Sequence, residues 1–388
     1  MKVLFINTVY GKGSTGRIVR QLGQAVEKAG GQFMAAYGRG EADDPVHTYR
    51  IGGKLHTYVH ALLARITDRA GFYSAGATRK LVKFIRQYQP DVIHLHNLHG
   101  YYLNIEILFH YLKTEYTGKV IWTLHDCWAF TGHCVHYTYA KCDKWKHQCF
   151  QCPETRRYPT SLLMDNSKSN YLKKRDVFTG LKNMAIVTPS EWLAEQVKAS
   201  FLKQYPCQVI NNGVDLNAFY PKAVEKEDGL ILNVADGQDD RKGFPDLVQL
   251  MQLLPKDYKL VVVGLQERDL KRIPSEITPV LRTSSQSELA EYYTRASWFV
   301  NTTYEETFGL VNAEALCCGT PVITYRSGGS PEVIDDSCGY VVEPGDVLSI
   351  ARLITTDQRP SPQACVLRAQ SFSKEEKYQQ YITLYQNL

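Results

Sequence analysis

Long apolar runs are missing from this 388-residue chain. A membrane-spanning helix needs about 20 consecutive apolar residues, and stretches such as Ala296 to Val300 end far short of that. The N-terminus, Met1-Lys2-Val3-Leu4-Phe5-Ile6-Asn7, turns polar after a four-residue apolar core. A secretory leader carries about 7–15 such residues, so the protein is expected in the cytoplasm. Net charge is scarce too: 45 Lys and Arg against 40 Asp and Glu leave +5, too mild a balance for a nucleic-acid binder. Disorder, collagen and coiled coil are excluded by composition, since 44% hydrophobic and 22% charged residues with 27 Gly and 16 Pro describe an ordinary globular protein. At about 100–200 residues per domain, the length predicts two folding units.

What is present is a rhythm of short apolar runs and amphipathic segments. Lys2–Thr8, Phe33–Tyr37, Asp91–His96, Lys119–Leu124 and Ala185–Thr188 read as strands, separated by helical stretches such as Gly16–Lys28. The rhythm restarts at Gly229–Val234 and runs through Lys259–Val263, Val280–Arg282, Ser297–Asn301, Pro321–Tyr325 and Tyr340–Val342. This is β-α-β repetition, so the fold class is α/β with two doubly wound, Rossmann-like domains, whose ligand crevices lie at the carboxyl ends of the strands and can face each other across a cleft. The join is expected near Ala199–Gln208, giving a first domain of residues 1–203 and a second of 204–388 that includes a C-terminal helix, Ser373–Asn387, with Tyr378, Ile382 and Tyr385 on one side. One segment breaks the rhythm: an insertion from Asp126 to about Ser167, rich in Cys, His, Tyr and Trp.

The most informative stretch is Tyr304-Glu305-Glu306-Thr307-Phe308-Gly309-Leu310-Val311-Asn312-Ala313-Glu314-Ala315-Leu316-Cys317-Cys318-Gly319-Thr320-Pro321-Val322. A strand ends, a loop carries Glu306, and a helix opens around Gly309–Val311 before Gly319 and Pro321 stop it. Free N–H groups at Phe308, Gly309, Leu310 and Val311, at the positive end of the helix dipole, form an anion site suited to a diphosphate. Glu306 and Glu314 flank it, and carboxylates there must face hydroxyls of a sugar or ribose.

Two acids separated by seven residues, with Phe-Gly-Leu and Glu-Ala-Leu-Cys-Cys-Gly-Thr-Pro-Val between and after them, resemble the signature of retaining glycosyltransferases of family 4, which have the GT-B fold. Further matches lie in order along the chain: Asn7 to Gly16, Asp91-Val92-Ile93-His94-Leu95-His96, Thr123-Leu124-His125-Asp126, Thr188-Pro189-Ser190-Glu191-Trp192, Asn211-Asn212-Gly213-Val214-Asp215, Lys242-Gly243 and Gly328-Gly329-Ser330-Pro331-Glu332. Within the family the chain most resembles bacterial surface-polysaccharide enzymes of the colanic acid type, which also carry a Cys-rich segment after the His-Asp pair. The resemblance implies transfer from a nucleotide-diphosphate sugar, with no cofactor required, to a saccharide hydroxyl on a lipid-linked acceptor. Glu306 would meet the donor sugar, Glu314 the ribose and Lys242 the diphosphate, while His125 would touch the donor sugar near the reacting carbon. Lys242 also follows the strand Ile231–Val234, which puts a cation at the crevice edge by pattern alone. The family's usual Arg a few residues earlier is absent from Asp236-Gly237-Gln238-Asp239-Asp240, and Arg241 stands beside the Lys instead.

Other clusters compete with this reading or extend it. His94, His96 and His99 have a metal-ligand spacing, so a metallohydrolase is one alternative; His99, Tyr101 and Asp126 otherwise belong to the acceptor side. Gly11, Gly13 and Gly16 let backbone approach phosphate or acceptor, but no acid follows at the strand end near Tyr37, which disfavours a dinucleotide enzyme. Cys134, Cys142, Cys149 and Cys152, interleaved with His133, His136 and His147, are enough for a structural zinc that would give the insertion packing it otherwise lacks; disulfides or free thiols are the alternative. From Lys54 to Tyr88 seven basic residues and one acid give +6, beside a helical stripe of Leu55, Tyr58, Val59, Leu62, Leu63 and Ile66. Such a stripe fits an anionic membrane surface, and a core-facing helix is the plainer reading. A non-catalytic nucleotide-sugar or glycan-binding protein is the runner-up from another class.

Overall fold

The computed structural model describes residues 1–388 except 236, 238, 239, 268, 269, 271, 272, 357 and 388. Asp236, Gln238 and Asp239, in the segment that precedes Arg241 and lacks the expected Arg, thus lie outside the described residues. The chain forms two units, Met1–Ile210 with the chain from Tyr378 onward, and Asn211–Lys377.

In the first unit a seven-stranded sheet runs in the order β3-β2-β1-β4-β5-β6-β7. Its strands are β1 Lys2–Asn7, β2 Gln32–Tyr37, β3 Thr48–Arg50, β4 Val92–Leu95, β5 Lys119–Thr123, β6 Met184–Thr188 and β7 Cys207–Val209. All pairs are parallel, in registers such as Phe5↔His94 and Leu95↔Trp122. Parallel strands are covered on both faces, and β4 and β6 are buried throughout. Between β1 and β2 lies helix α1, Gly13–Lys28, which buries Ile18, Val19, Leu22 and Val26. Helices α2, Lys54–Thr67, and α3, Ala75–Tyr88, follow β3.

The second unit holds six parallel strands in the order β10-β9-β8-β11-β12-β13. These are β8 Glu227–Val234, β9 Lys259–Val263, β10 Ile277–Val280, β11 Ala296–Asn301, β12 Val322–Tyr325 and β13 Gly339–Val342. In each sheet the strand order reverses once, between β1 and β4 and between β8 and β11. Loops leaving the carboxyl ends there diverge and open the crevice in which such sheets bind ligands.

Three expectations change. The join falls at Ile210, because β7 extends the first sheet by pairing with β6. The C-terminal helix, Lys374–Asn387, does not belong wholly to the second domain: Tyr378, Tyr381, Ile382 and Tyr385 are buried in one cluster with Val3, Phe5, Ile18 and Val19 of the first. The strand expected at Val280–Arg282 lies earlier, at Ile277–Val280, and the short β3 had no pattern to announce it.

Candidate functional site

The second unit's site is assembled by two loops at its switch point. Lys242 sits in a turn, Asp240–Lys242, after β8. Gly243 follows with φ 69°, and a Cβ there would come within 2.1 Å of the Thr302 carbonyl oxygen, so only glycine lets this turn lie on the end of β11. Thr302 Oγ1 is 3.2 Å from the Lys242 carbonyl oxygen and 3.0 Å from that of Gly243, and Tyr304 N–H donates to the Arg241 carbonyl at 2.7 Å. The Lys242 backbone is thereby tied to the loop that carries Glu306. Arg241 pairs with the buried Glu305, Nη1 to Oε2 3.3 Å, so its charge is directed within the protein.

Glu306 is half-buried, and its Oε1 accepts from the N–H of Thr307 at 3.0 Å and of Phe308 at 3.5 Å. Its carbonyl oxygen accepts from Gly329 N–H at 3.3 Å, and a Cβ on Gly328 would come within 1.5 Å of that oxygen. The Gly328-Gly329 pair therefore holds Glu306 in place through bare backbone. Gly309, at φ 92°, turns the chain into the helix Leu310–Cys317. The N–H groups of Gly309, Leu310 and Val311 have no acceptor among the described residues, which leaves the donors of an anion site. Phe308 is buried beside them. Glu314 is also buried and accepts from Tyr293 Oη at 3.1 Å.

In the first unit the site is a set of histidines. His125, half-buried after β5, shares a hydrogen bond with the fully buried His96, Nε2 to Nδ1 2.9 Å, with the rings stacked. Burial lowers both: His125 to about 4, with the neighbouring Asp126 charge opposing, and His96 well below 6.5. Both are neutral at pH 7. His99 Nε2 meets Asp126 Oδ2 at 2.7 Å, and its Nδ1 meets Tyr158 Oη at 3.0 Å. Burial would raise Asp126, but the charge and hydrogen bond of His99 hold it at about 2. Tyr101, expected beside them, is buried with its ring 5.9 Å from Tyr158 and 5.8 Å from His60. In the loop after β1, Gly11 N–H donates to the Gly16 carbonyl at 2.8 Å, and Gly13, at φ 65°, opens α1 with free space around its Cα.

This geometry removes the metallohydrolase. Both nitrogens of His94 are taken, by Tyr385 Oη and Thr123 Oγ1, each at 2.7 Å. With His96 on His125 and His99 on Asp126 and Tyr158, the three imidazoles do not converge. What remains is a cation, backbone donors and two carboxylates in one unit, suited to phosphate and hydroxyl groups, and in the other the neutral His96–His125 pair beside the His99–Asp126 pair.

Comparison with known proteins narrows that chemistry. The model of Glycosyltransferase Family 4 matches residues 15–218, and that of Glycosyl transferases group 1 matches residues 218–357. The chain belongs to glycosyltransferase family 4. A putative colanic acid biosynthesis glycosyl transferase, WcaC of Escherichia coli K12, is 25% identical over 418 aligned residues covering 100% of both chains. The family 4 fold, GT-B, is shown by likeness to solved structures: a sucrose-phosphate synthase from Thermosynechococcus elongatus (TM-score 0.75, 21% identity, 100% of this chain and 98% of that one), and Anabaena HepE in complex with UDP-glucose (TM-score 0.66, 15% identity, 100% of both).

The insertion of this glycosyltransferase is packed around aromatic side chains. Trp128, Phe130, Tyr137 and Trp145 are buried in it, with Trp145 5.0 Å from Phe130 and 4.9 Å from Tyr137 between ring centroids. Lys174, fully buried, lies 3.4 Å from the Trp128 ring centroid and donates to the carbonyls of Trp128 and Thr131 at 2.8 and 3.2 Å. Burial lowers it to about 7. His133 pairs with Asp68 at the end of α2. Cys134, Cys142, Cys149 and Cys152 do line one small pocket with His133, but three of the sulfurs have local partners: Cys149 accepts from Gly132 N–H at 3.2 Å, and the Cys134 and Cys152 thiols bond each other. Among the described residues no group of three or more His, Cys, Asp or Glu is placed to hold a metal ion. The expected zinc set does not fit, and its premise, an insertion short of packing, fails with it. Sequence reasoning missed Lys174 and the Asp68–His133 pair, which join residues 43 to 65 positions apart and leave no local signal.

Proposed function

We propose that this glycosyltransferase moves a sugar, with retention at the anomeric carbon, from a nucleotide-diphosphate sugar to a hydroxyl of a lipid-linked saccharide in bacterial surface-polysaccharide synthesis, working at the inner face of the membrane. One observation carries the reading. Lys242 and the unoccupied N–H donors of Gly309, Leu310 and Val311 border the second unit's switch point, with Glu306 and Glu314 beside them. A cation and a row of donors suit a diphosphate whose leaving oxygen gains charge as the bond to the sugar breaks. Glu306 then accepts from donor-sugar hydroxyls and Glu314 from the ribose. Arg241 acts through Glu305, which braces the Glu306 loop. The likeness to HepE, solved with UDP-glucose, supports a nucleotide-sugar donor, and the colanic acid relative supports a polysaccharide acceptor.

In the reaction the acceptor oxygen forms the new glycosidic bond on the face from which the diphosphate departs. The acceptor proton passes to the leaving phosphate oxygen, so no side chain acts as base and no metal is required. His125, neutral, offers the reacting sugar a hydrogen bond rather than a charge. His99 and Asp126 orient the acceptor side. A mass-spectrometric screen of nucleotide sugars tests this: one donor should be consumed by transfer or slow hydrolysis, and NMR of the product should show the donor's anomeric configuration kept. Tight binding of a donor that is never turned over would leave a non-catalytic binding protein.

A further inference from the structure

Helix α2 is mounted with its apolar stripe outward. Leu55, Tyr58, Val59 and Leu62 are 73%, 71%, 47% and 58% exposed, while the side turned into the protein carries only His60 and Ala64. At 100° per residue the four exposed residues fall within an arc of about 100°, opposite the buried pair. The buried side is held by polar contacts instead: His60 Nδ1 to Ser74 Oγ at 2.8 Å, and Gly71 N–H to His60 Nε2 at 3.1 Å. A helix of a water-soluble surface has the reverse arrangement. The apolar ridge continues past the end of α2, where Leu162 N–H donates to the Arg65 carbonyl at 2.7 Å and brings up Leu162, Leu163 and Met164, each at least half exposed.

Beside the ridge lies a pocket of about 370 Å³, walled by Lys12, Arg39, Arg50 and Lys54 with Thr57 and Tyr58; its one acid is Glu41. Among the described residues Lys12 and Arg39 have no ion-pair partner, and Glu41 is shared with Lys54 at 3.3 Å. Tyr58 belongs to both pocket and ridge, so a cationic cavity and a hydrocarbon-like strip meet along one helix.

We propose that α2 and this pocket form a docking site for an anionic phospholipid bilayer, the phosphate of a headgroup entering the cavity and the ridge sinking into the acyl boundary. The order of the two parts matches the order of a lipid's own chemistry, phosphate next to hydrocarbon, and a second protein would not require four cations around a cavity. The proposal deepens the membrane location given above and rests on that reading for its purpose, yet it is tested without the transfer reaction. α3, the other basic helix of the stretch, is not part of the site: it buries Leu81, Val82 and Ile85, and its Arg86 is paired with Glu115.

The test is co-sedimentation of the full chain with phosphatidylcholine vesicles and with vesicles holding about one-third phosphatidylglycerol. Wild type should partition at least about tenfold better to the second kind, and high salt should release it. The pair Leu55→Ser and Leu62→Ser should lower that partitioning about tenfold; the pair Arg39→Gln and Lys54→Gln should abolish the preference for phosphatidylglycerol while leaving weak binding to both. All four side chains are exposed, so circular dichroism and melting should be unchanged, and donor hydrolysis in solution should stay within about twofold. Equal partitioning of wild type to both vesicles, or to neither, overturns the proposal. So does a ridge variant that binds vesicles like wild type but loses a dimer in sedimentation velocity, which would make the ridge a contact between copies. Loss of donor turnover with normal vesicle binding would strike the transfer reading and leave this one standing.

Discussion

The two units divide their chemistry by charge. All eleven histidines lie in the first unit and none in the second. His94, His96 and His125 of the first unit are kept neutral by burial, whereas the second carries Lys242, Glu306 and Glu314 with the Arg241–Glu305 pair behind them. The difference follows from what each would hold. A diphosphate needs compensating positive charge and fixed donors, and an imidazole kept neutral beside the reacting sugar does not compete with them for the leaving group. A fixed cation on one unit and the neutral His96–His125 pair on the other is therefore the arrangement to break.

The largest expected effect is on the charged side. Glu306→Ala and Lys242→Ala should each lower kcat/KM by at least about 100-fold with the fold intact, since each removes a charged contact to the donor. Turnover within threefold of wild type for both would end the assignment. Next comes stability in acid. His60 has a folded pKa of about 3 and His125 of about 4, against an ordinary 6.5, in both cases because burial disfavours the cation. Below pH 6.5 the unfolded chain takes up protons that the folded one refuses, so stability present at neutral pH is lost as pH falls toward those values. Each histidine should cost about 2 kcal/mol at pH 5 relative to pH 7. Hydrogen exchange should then show the first unit opening before the second, and the reverse order would break the comparison.

A smaller effect is expected at His125 itself. His125→Ala should lower kcat/KM by about tenfold, the scale of one neutral hydrogen bond in a desolvated site. Because the wild-type imidazole is already neutral, it should add no inflection to the kcat/KM profile between pH 6 and 9. A limb near pH 6.5 that vanishes in the variant would show that His125 works as a charged group.

How much of this could be read beforehand differs by region for physical reasons. The second unit's loop Tyr304–Gly309 and helix Leu310–Cys317 were legible because one contiguous stretch has to supply strand end, turn, backbone donors and carboxylates, so its chemistry is written in order. The first unit's site brings His96, His99, His125 and Tyr158 together from separate segments, and no spacing encodes that His99 should bond Tyr158. Helix α2 shows another limit. Its apolar period announces a stripe, as that of α3 does, but a period gives amphipathicity and not direction. The sheet buries Leu81 and Ile85 of α3, whereas the polar anchors of His60 turn Leu55 and Leu62 of α2 to solvent. The C-terminal helix is a third case: Tyr378 and Tyr385 were visible as one face, and only the structure supplies the partners, Gln21 for the first hydroxyl at 2.6 Å and His94 for the second at 2.7 Å.

The smallest effects concern the thiols, where the units contrast again. In the second unit burial raises Cys318 and Cys365 to about 12 and Cys338 to about 11, so all three stay protonated and unreactive at neutral pH. In the first, Cys152 is lowered to about 7, chiefly by the hydrogen bond from Cys134 against the opposing effect of burial, with help from the His133 charge; Cys149 is raised by burial to about 12. Cys152 is also half-buried rather than enclosed. Brief iodoacetamide treatment at pH 7.5 should therefore label Cys152 at least about tenfold faster than any other cysteine, as its thiolate fraction requires. The same experiment bears on zinc. With Cys134, Cys149 and Cys152 held by thiol or backbone partners, elemental analysis should find less than about a tenth of an equivalent, and a chelator should leave both melting and labelling unchanged. If Cys152 is instead silent until a chelator is added, and about one zinc per chain is released with it, the four sulfurs close on a metal and the aromatic packing of the insertion is not what holds it.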